Sequence, residues 1–121
     1  MTPNSSGQRR AYFRLRYPKA ERPLAGISGE IYEVTELSEG GARILANGDW
    51  TPASGERIAG ALEFRDGDAI PVEGDVLRIE GEEVIVKFTS GVSFRRMLAE
   101  HRRILRAYPL FFDKPGDSKP S

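Results

Sequence analysis

The sequence predicts a mainly β protein, in which a small antiparallel β-barrel follows a flexible N-terminal arm and precedes one C-terminal α-helix. Short apolar stretches of alternating pattern run through the middle of the chain and are separated by glycine-containing turns. After residue 91 the apolar period lengthens from two residues to that of a helix. Because the chain has 121 residues, these elements fit one domain with one modest core.

The predicted strands span 27–37, 42–46, 58–64, 70–79 and 84–88. Turn signals separate them at Ser38-Glu39-Gly40-Gly41, Asn47-Gly48, Asp66-Gly67 and Glu80-Gly81. In the fourth strand the apolar phase switches between Val76 and Leu77, which predicts a bend near Pro71 or Gly74. Short strands joined by such turns favour an antiparallel sheet closed into a barrel.

A helix is predicted after the last strand. Its apolar face combines Phe94, Leu98, His101, Leu105 and Tyr108, widened by Met97 and Ile104. The arginines at 95, 96, 102, 103 and 106 are expected mostly on the opposite side. Ser93 is the expected N-cap, and Pro109 ends the helix near Tyr108. We expect the apolar face to cover an open side or end of the barrel.

The net charge of zero hides a segregation of charge along the chain. Residues 1–22 carry six basic side chains and one acidic, whereas residues 23–93 carry fourteen acidic and five basic. Residues 94–121 return to seven basic and three acidic. Such local positive charge suits a compact anion better than a long nucleic acid. Fourteen arginines against four lysines also favour bidentate binding of phosphate.

Several classes of protein find no support in the sequence. No apolar run approaches the roughly 18 residues that span a bilayer, and the N-terminus has no signal-peptide pattern. We therefore expect a cytoplasmic protein without membrane insertion. The chain has one histidine and no cysteine, which excludes disulfides and the usual zinc site. Since a GxxxxGK(S/T) loop and a GxSxG elbow are also absent, we expect neither an enzyme nor a cofactor.

Two short motifs stand out from this background. Arg10-x-x-x-Arg14 places two guanidinium forks four residues apart, with Arg9 and Arg16 beside them. The stretch ELSEGG at 36–41 ends a strand with a hydroxyl and paired glycines, whose amides can approach an anion closely. Each motif alone also fits a simpler explanation, namely a basic tail or an ordinary turn. The RxxxR spacing recurs at 102–106, where solvation of a helix explains it.

Together and in this order, RRAYFR and ELSEGGARI resemble the motifs of the PilZ domain, the bacterial receptor module for cyclic di-GMP. That family pairs RxxxR on an N-terminal arm with (D/N)xSxxG on the first long barrel strand and its turn. Arg10 and Arg14 match the first motif, Ser38 and Gly41 match the second, and Glu36 stands where the family carries Asp or Asn. The resemblance covers roughly residues 8–90 and implies a six-stranded split barrel with a helix after it.

The resemblance implies a cyclic di-GMP receptor that orders its arginine arm on binding and signals to a protein partner in motility, exopolysaccharide or regulatory machinery. The arginines would bind phosphate or guanine, the serine and the glycine amides would complete the cradle, and the glutamate would accept from a guanine edge. The ligand-binding residues implied in this way are Arg9, Arg10, Arg14, Glu36, Ser38, Gly40 and Gly41. Phe13 and Tyr17 are expected to tether the arm to the barrel.

The resulting division of the chain has a disordered N-terminus at 1–7 and a flexible tail at 109–121. The domain at 8–108 contains the arm at 8–22, the barrel at 23–89 and the helix at 93–108.

Two other functions stay open. One is a PilZ-like adaptor that binds no nucleotide and acts through protein contacts, such as the apolar patch at 110–112. The other is a barrel that binds single-stranded nucleic acid through the arm arginines and aromatic residues, against which the acidic middle argues.

Overall fold

Six antiparallel strands close into a barrel in the computed structural model, which describes residues 14–110. The elements are β1 (Leu15–Arg16), a 3-10 turn (Lys19–Glu21), β2 (Leu24–Ile27), β3 (Glu30–Ser38), β4 (Gly41–Leu45), β5 (Arg57–Glu63), β6 (Ala69–Glu80), β7 (Glu83–Ser90) and α1 (Phe94–Ala107). The barrel order is β3-β2-β5-β6-β7-β4, closed by pairing of β4 with β3, and β1 pairs with the end of β3. The predicted six-stranded barrel and C-terminal helix are therefore confirmed.

The first predicted strand, at 27–37, is wrong at its start, because two strands occupy this region. Leu24–Ile27 forms β2, which pairs antiparallel with the first residues of β3. The turn between them consists of Ser28 and Gly29, both with positive φ angles of 53° and 84°. Positive φ at both positions suits the right-handed twist of a two-residue hairpin. Serine rarely adopts this conformation, so Ser-Gly gave a weaker turn signal than the Asn47-Gly48 pair farther along.

The bend predicted in β6 is confirmed by two register shifts against β7. One lies between Glu73 and Gly74, and the other lies between Val76 and Arg78. The second shift leaves Leu77 as an extra residue of β6, with 41% of its surface exposed. A bulge of this kind turns a side chain away from the regular alternation of the strand. It therefore explains why the apolar phase of the sequence switches between Val76 and Leu77.

Helix α1 begins at the predicted N-cap, because the Ser93 hydroxyl accepts a 3.0 Å hydrogen bond from the backbone amide of Arg96. The predicted buried face is rotated, however. The buried residues are Met97, Glu100 and Ile104, whereas Phe94 and Leu105 are 53% and 42% exposed. The prediction is confirmed for Met97 and Ile104 and wrong for Phe94 and Leu105, because apolar spacing alone cannot reveal that a carboxylate, Glu100, is drawn into the interface.

Polar contacts hold α1 on the segment that follows β1. The Tyr17 hydroxyl donates a 2.7 Å hydrogen bond to Glu100 Oε1, and Arg103 Nη2 donates one of 3.1 Å to the same oxygen. Arg103 also contacts Glu21 Oε1 at 2.6 Å, which adds the 3-10 turn to the network. Tyr17 is only 4% exposed, so its predicted role as a tether is confirmed and its ring cannot stack on a nucleic-acid base.

A second set of contacts joins α1 to the β5–β6 hairpin. The guanidinium of Arg96 lies 4.6 Å from the centre of the Phe64 ring and contacts Asp66 Oδ2 at 2.9 Å. It also pairs with Asp68. Arg96 was expected on the solvated side of the helix, and this expectation was wrong. Within residues 14–110, no helix is both long and apolar enough to cross a membrane.

Candidate ligand-binding site

A groove of about 590 Å³ lies where the end of β3 meets β4, β6 and β7. Five of the seven predicted ligand-binding residues line it: Arg14, Glu36, Ser38, Gly40 and Gly41. The two motifs, more than twenty residues apart in sequence, therefore meet at one groove. The other two predicted residues, Arg9 and Arg10, lie outside the described residues, as do 1–8 and 11–13 of the N-terminal region.

The turn between β3 and β4 is fixed by its own hydrogen bonds. Ser38 Oγ accepts a 3.2 Å bond from the Gly40 amide, and its hydroxyl lies 3.5 Å from the Gly41 carbonyl oxygen. The Gly40 carbonyl in turn accepts a 2.8 Å bond from the Phe88 amide. The Ser38 hydroxyl thus supports the turn, while its one donor contact within residues 14–110 is at the limit of hydrogen-bond length.

Glycine is required at position 41 by close packing against β7. A Cβ atom there would lie 2.3 Å from the Val86 carbonyl oxygen, far inside van der Waals contact. Gly41 is paired with Lys87 in the β4–β7 ladder, so the short approach belongs to the closure of the barrel. The last glycine of the second motif is therefore explained by the fold, independently of any ligand.

Glu36 is held between two arginines at the edge of the groove. Its Oε1 lies 3.4 Å from Arg16 Nη1, and its Oε2 lies 3.8 Å from Arg43 Nε. Both distances exceed those of a strong charge-assisted hydrogen bond. Because the Arg16 side chain is 60% exposed, solvent also weakens its attraction for the carboxylate. The Glu36 carboxylate is thus loosely held.

Arg43 is bound more tightly on its other side. Its Nη1 contacts Glu80 Oε1 at 3.0 Å and Glu83 Oε1 at 3.3 Å. These carboxylates raise the pKa of Arg43, with the hydrogen bond to Glu80 as the largest cause. Glu80 also pairs with Arg78, and this contact is the main reason that the pKa of Glu80 is lowered. Of the four cations within residues 14–110 that line the groove, Arg43 and Arg78 are therefore largely neutralised.

The other two lining cations, Arg14 and Lys87, are exposed and form no ion pair with any residue of 14–110. They supply the uncompensated positive charge of the groove. Leu77 adds an apolar surface beside them, because the β6 bulge turns it outward. The groove thus combines free cations, a hydroxyl, a loosely held carboxylate and an apolar surface.

Sequence reasoning missed several residues that line this groove, among them Arg43, Leu77 and Lys87. Leu77 could have been found, because the phase switch at that position marks the bulge. Lys87 had no comparable signal, since only closure of the barrel brings β7 next to β4. Arg43 was visible as the arginine of GGARI, but its acidic partners come from β6 and β7.

This arrangement defines a small β-barrel domain with a groove lined by exposed cations, a carboxylate and an apolar side chain. Residues 8–110 match the PilZ domain, and the chain therefore belongs to the PilZ domain family. PilZ domains are ligand-binding and adaptor domains, and cyclic di-GMP is the general ligand of the family. The family expected from the two motifs is thus confirmed.

The fold is also similar to a solved structure. The crystal structure of a Legionella uncharacterized protein, Lpg0364, aligns with 81% of this chain and 98% of its own, with a TM-score of 0.55 and 20% sequence identity. At this level of identity the likeness concerns the fold. No curated protein matches the sequence.

Proposed function

We propose that this chain is a cytoplasmic cyclic di-GMP receptor that signals to a protein partner and does not act as an enzyme. The observation that carries the proposal is the convergence of Arg14 with Glu36, Ser38 and the Gly40-Gly41 turn around one groove. These residues come from both family motifs, and the chain belongs to the family whose general ligand is cyclic di-GMP.

The phosphates of the nucleotide would bind the free cations. Arg14 can form a bidentate contact with a phosphate, and Lys87 can approach from the opposite strand as a point charge. The Ser38 hydroxyl can exchange its 3.5 Å contact with the Gly41 carbonyl for a phosphate oxygen. It would still accept from the Gly40 amide, so binding would not require the turn to open.

The guanine bases would use the remaining features of the groove. Glu36 can accept hydrogen bonds from the N–H groups of a guanine edge, because its ion pairs with Arg16 and Arg43 are long. Leu77 offers an apolar surface against which a base face can lie. Arg9 and Arg10, outside the described residues, complete the proposed set through contacts to phosphate or guanine.

The arm connects this site to the rest of the molecule. The segment that follows Arg14 passes through β1 to Tyr17, which is bonded to Glu100 of α1. Ordering of residues 8–14 over the groove would therefore change the surface next to a segment already fixed to the helix. We infer that this change in surface is what a protein partner recognises.

Isothermal titration with cyclic di-GMP tests the proposal. We expect the wild-type chain to bind, and Arg14→Ala to lose about 1.5–3 kcal/mol, the usual contribution of a hydrogen bond to a charged group, or roughly tenfold to more than a hundredfold in affinity. Ser38→Ala should weaken binding less. Arg102→Ala is the matched control, since it removes an arginine from the same RxxxR spacing on the helix. Equal affinities of wild type and Arg14→Ala would contradict the site.

A non-nucleotide adaptor is the second candidate function. Its support is that Glu36 replaces the Asp or Asn of the family motif and already contacts Arg16 and Arg43. A longer side chain that prefers these arginines would leave no acceptor for guanine. Glu36→Asp distinguishes the two candidates: absence of nucleotide binding in the wild type, with binding restored by Glu36→Asp, would favour the adaptor.

A further inference from the structure

An apolar stripe on α1 faces away from the barrel. Phe94, Leu98, His101 and Leu105, which we call the α1 stripe, lie within about 60° of one another at 100° per residue. Phe94 and Leu105 are 53% and 42% exposed, and the two residues between them are half-buried. Two large apolar side chains are thus exposed on one line of the helix.

The residues that α1 buries against the rest of the domain lie outside the α1 stripe. Met97, Glu100 and Ile104 are the buried residues of α1, and they lie on the neighbouring face. Arg96 and Arg103 reinforce that attachment through Asp66 and Glu21. The helix therefore has two faces with apolar residues, of which the barrel takes one.

The charge beside the α1 stripe has one sign. Arg95, Arg102 and Arg106 form a row along its side, all three are exposed, and none forms a salt bridge with a residue of 14–110. Glu100 is the only carboxylate of α1, and it is 1% exposed and bonded to Tyr17. The exposed surface of the helix thus offers cations and apolar groups, without exposed carboxylates.

This charge pattern favours one kind of binding partner for the α1 stripe over another. The α1 stripe of a second copy would bring another row of arginines toward the first, and this like-charge approach disfavours a symmetric dimer. A partner with carboxylates beside its own apolar residues would pair with the row instead. The 4-3-4 spacing of the α1 stripe is the spacing with which one helix packs against another.

We propose that the α1 stripe is a docking surface for an amphipathic helix of a partner protein, with acidic residues along the edge of its apolar face. Apolar residues of the partner would pack between Phe94 and Leu105, and its carboxylates would pair with Arg102 and Arg106. The proposal rests on the proposed receptor function only for the signal that docking conveys, since the surface is present in the chain without nucleotide.

Fluorescence anisotropy with labelled synthetic heptad peptides tests the docking surface on the full chain. The first peptide has leucine at the a and d positions and glutamate beside them, and the second replaces each glutamate by lysine. Like charges beside the seam keep each peptide from associating with itself. We expect the glutamate peptide to bind at least about tenfold more tightly than the lysine peptide. Equal binding of the two would overturn the proposal.

Variants of exposed residues locate the contact. Leu105→Asp should weaken binding of the glutamate peptide at least about tenfold, as expected for the loss of a central apolar contact. The double variant Arg102→Glu, Arg106→Glu should reverse the preference toward the lysine peptide. Ile79→Asp, which changes an equally exposed apolar residue of β6 outside the groove lining, is the matched control and should bind as the wild type does. Full binding by Leu105→Asp would overturn the proposal.

If a second copy of the chain or its own C-terminal residues covered the α1 stripe, these experiments would give different results. A homodimer in sedimentation equilibrium that Leu105→Asp dissociates would overturn the proposal in favour of a second copy. Peptide binding that appears only in the full-length variant Phe111→Ser, Phe112→Ser would overturn it in favour of the C-terminal residues of the chain itself. Peptide binding without cyclic di-GMP binding would support the docking surface and contradict the receptor function. Cyclic di-GMP binding without peptide binding would support the receptor function and contradict the docking surface.

Discussion

The hydroxyl of Tyr17 donates a 2.7 Å hydrogen bond to Oε1 of Glu100, a carboxylate that is 1% exposed. Burial is the largest cause that raises the pKa of Tyr17, and the charge of Glu100 adds to it. The hydroxyl therefore keeps its proton across the physiological pH range and acts as a permanent donor. The bond joins the segment after the RxxxR motif to the C-terminal helix, and so links the proposed binding site to the proposed docking surface.

Tyr17→Phe should destabilise the protein by about 1–3 kcal/mol, because it removes one partner of a buried carboxylate and leaves the rest of the ring in place. Urea unfolding followed by circular dichroism measures this free energy. Tyr32→Phe is the matched control, since the Tyr32 hydroxyl forms no hydrogen bond within residues 14–110 and its ring still stacks on Trp50. Equal losses of unfolding free energy in Tyr17→Phe and Tyr32→Phe would show that the buried hydrogen bond of Tyr17 does not stabilise the protein.

The Glu21 carboxylate should make stability depend on pH. A hydrogen bond from Arg103 is the main cause that holds its pKa below the usual 4.5. Its contribution is therefore complete well above pH 4.5 and is lost as the pH falls below that value, because the unfolded chain takes up the proton first. We expect the unfolding free energy to fall less steeply between about pH 5 and pH 3 in Glu21→Gln than in the wild type.

Urea unfolding at a series of pH values measures this slope. Part of the slope should remain in Glu21→Gln, because Asp66 also has a lowered pKa, chiefly through a hydrogen bond from the Asp68 amide. Glu82→Gln is the control, since Glu82 is exposed and forms no ion pair with a described residue. Identical slopes in wild type and Glu21→Gln would refute the prediction.

The fold was predictable from the sequence wherever a signal was local. The turn at Asn47-Gly48 has positive φ at both residues, as such a pair favours, and the phase switch before Leu77 marks a real bulge. The rotation of α1 was not predictable. It depends on Glu100 being paired with Tyr17, 83 residues earlier in the chain, and no periodicity shows such a pair.

The residues of the candidate site were likewise predictable only where their signal was local in the sequence. Arg14, Glu36, Ser38 and Gly41 were found because they belong to contiguous motifs. Lys87 was missed, because it becomes a neighbour of Gly41 only when β7 closes the barrel against β4. The same closure explains why position 41 requires glycine, since the Val86 carbonyl oxygen occupies the space that a side chain would need.

Gly41→Ala should therefore destabilise the fold before it affects any ligand. Its Cβ would lie 2.3 Å from a backbone oxygen, and relief of such a clash costs about 1–3 kcal/mol when strands must shift. Thermal or urea unfolding measures the loss. Gly26→Ala is the matched control, because the nearest atoms to a Cβ in that strand lie at 3.9 Å. If Gly41→Ala is as stable as Gly26→Ala, the close approach to β7 does not constrain this position.

Lys87 lies outside both family motifs, so its substitution tests independently whether the groove binds the nucleotide. If nucleotide phosphate contacts this exposed lysine, Lys87→Ala should weaken cyclic di-GMP binding by about 0.2–1 kcal/mol, the range for an exposed ion pair, or up to roughly fivefold. The loss should be smaller than that of Arg14→Ala, since a lysine does not form the bidentate contact of an arginine.

Salt separates a direct contact of Lys87 from a general effect of charge. Screening weakens exposed ion pairs, so the gap between wild type and Lys87→Ala in titration calorimetry should narrow as ionic strength rises. Lys19→Ala is the control, because it removes the same charge from the 3-10 turn, away from the groove lining. An equal loss in the two lysine variants would mean that only net charge matters and that Lys87 does not contact the nucleotide.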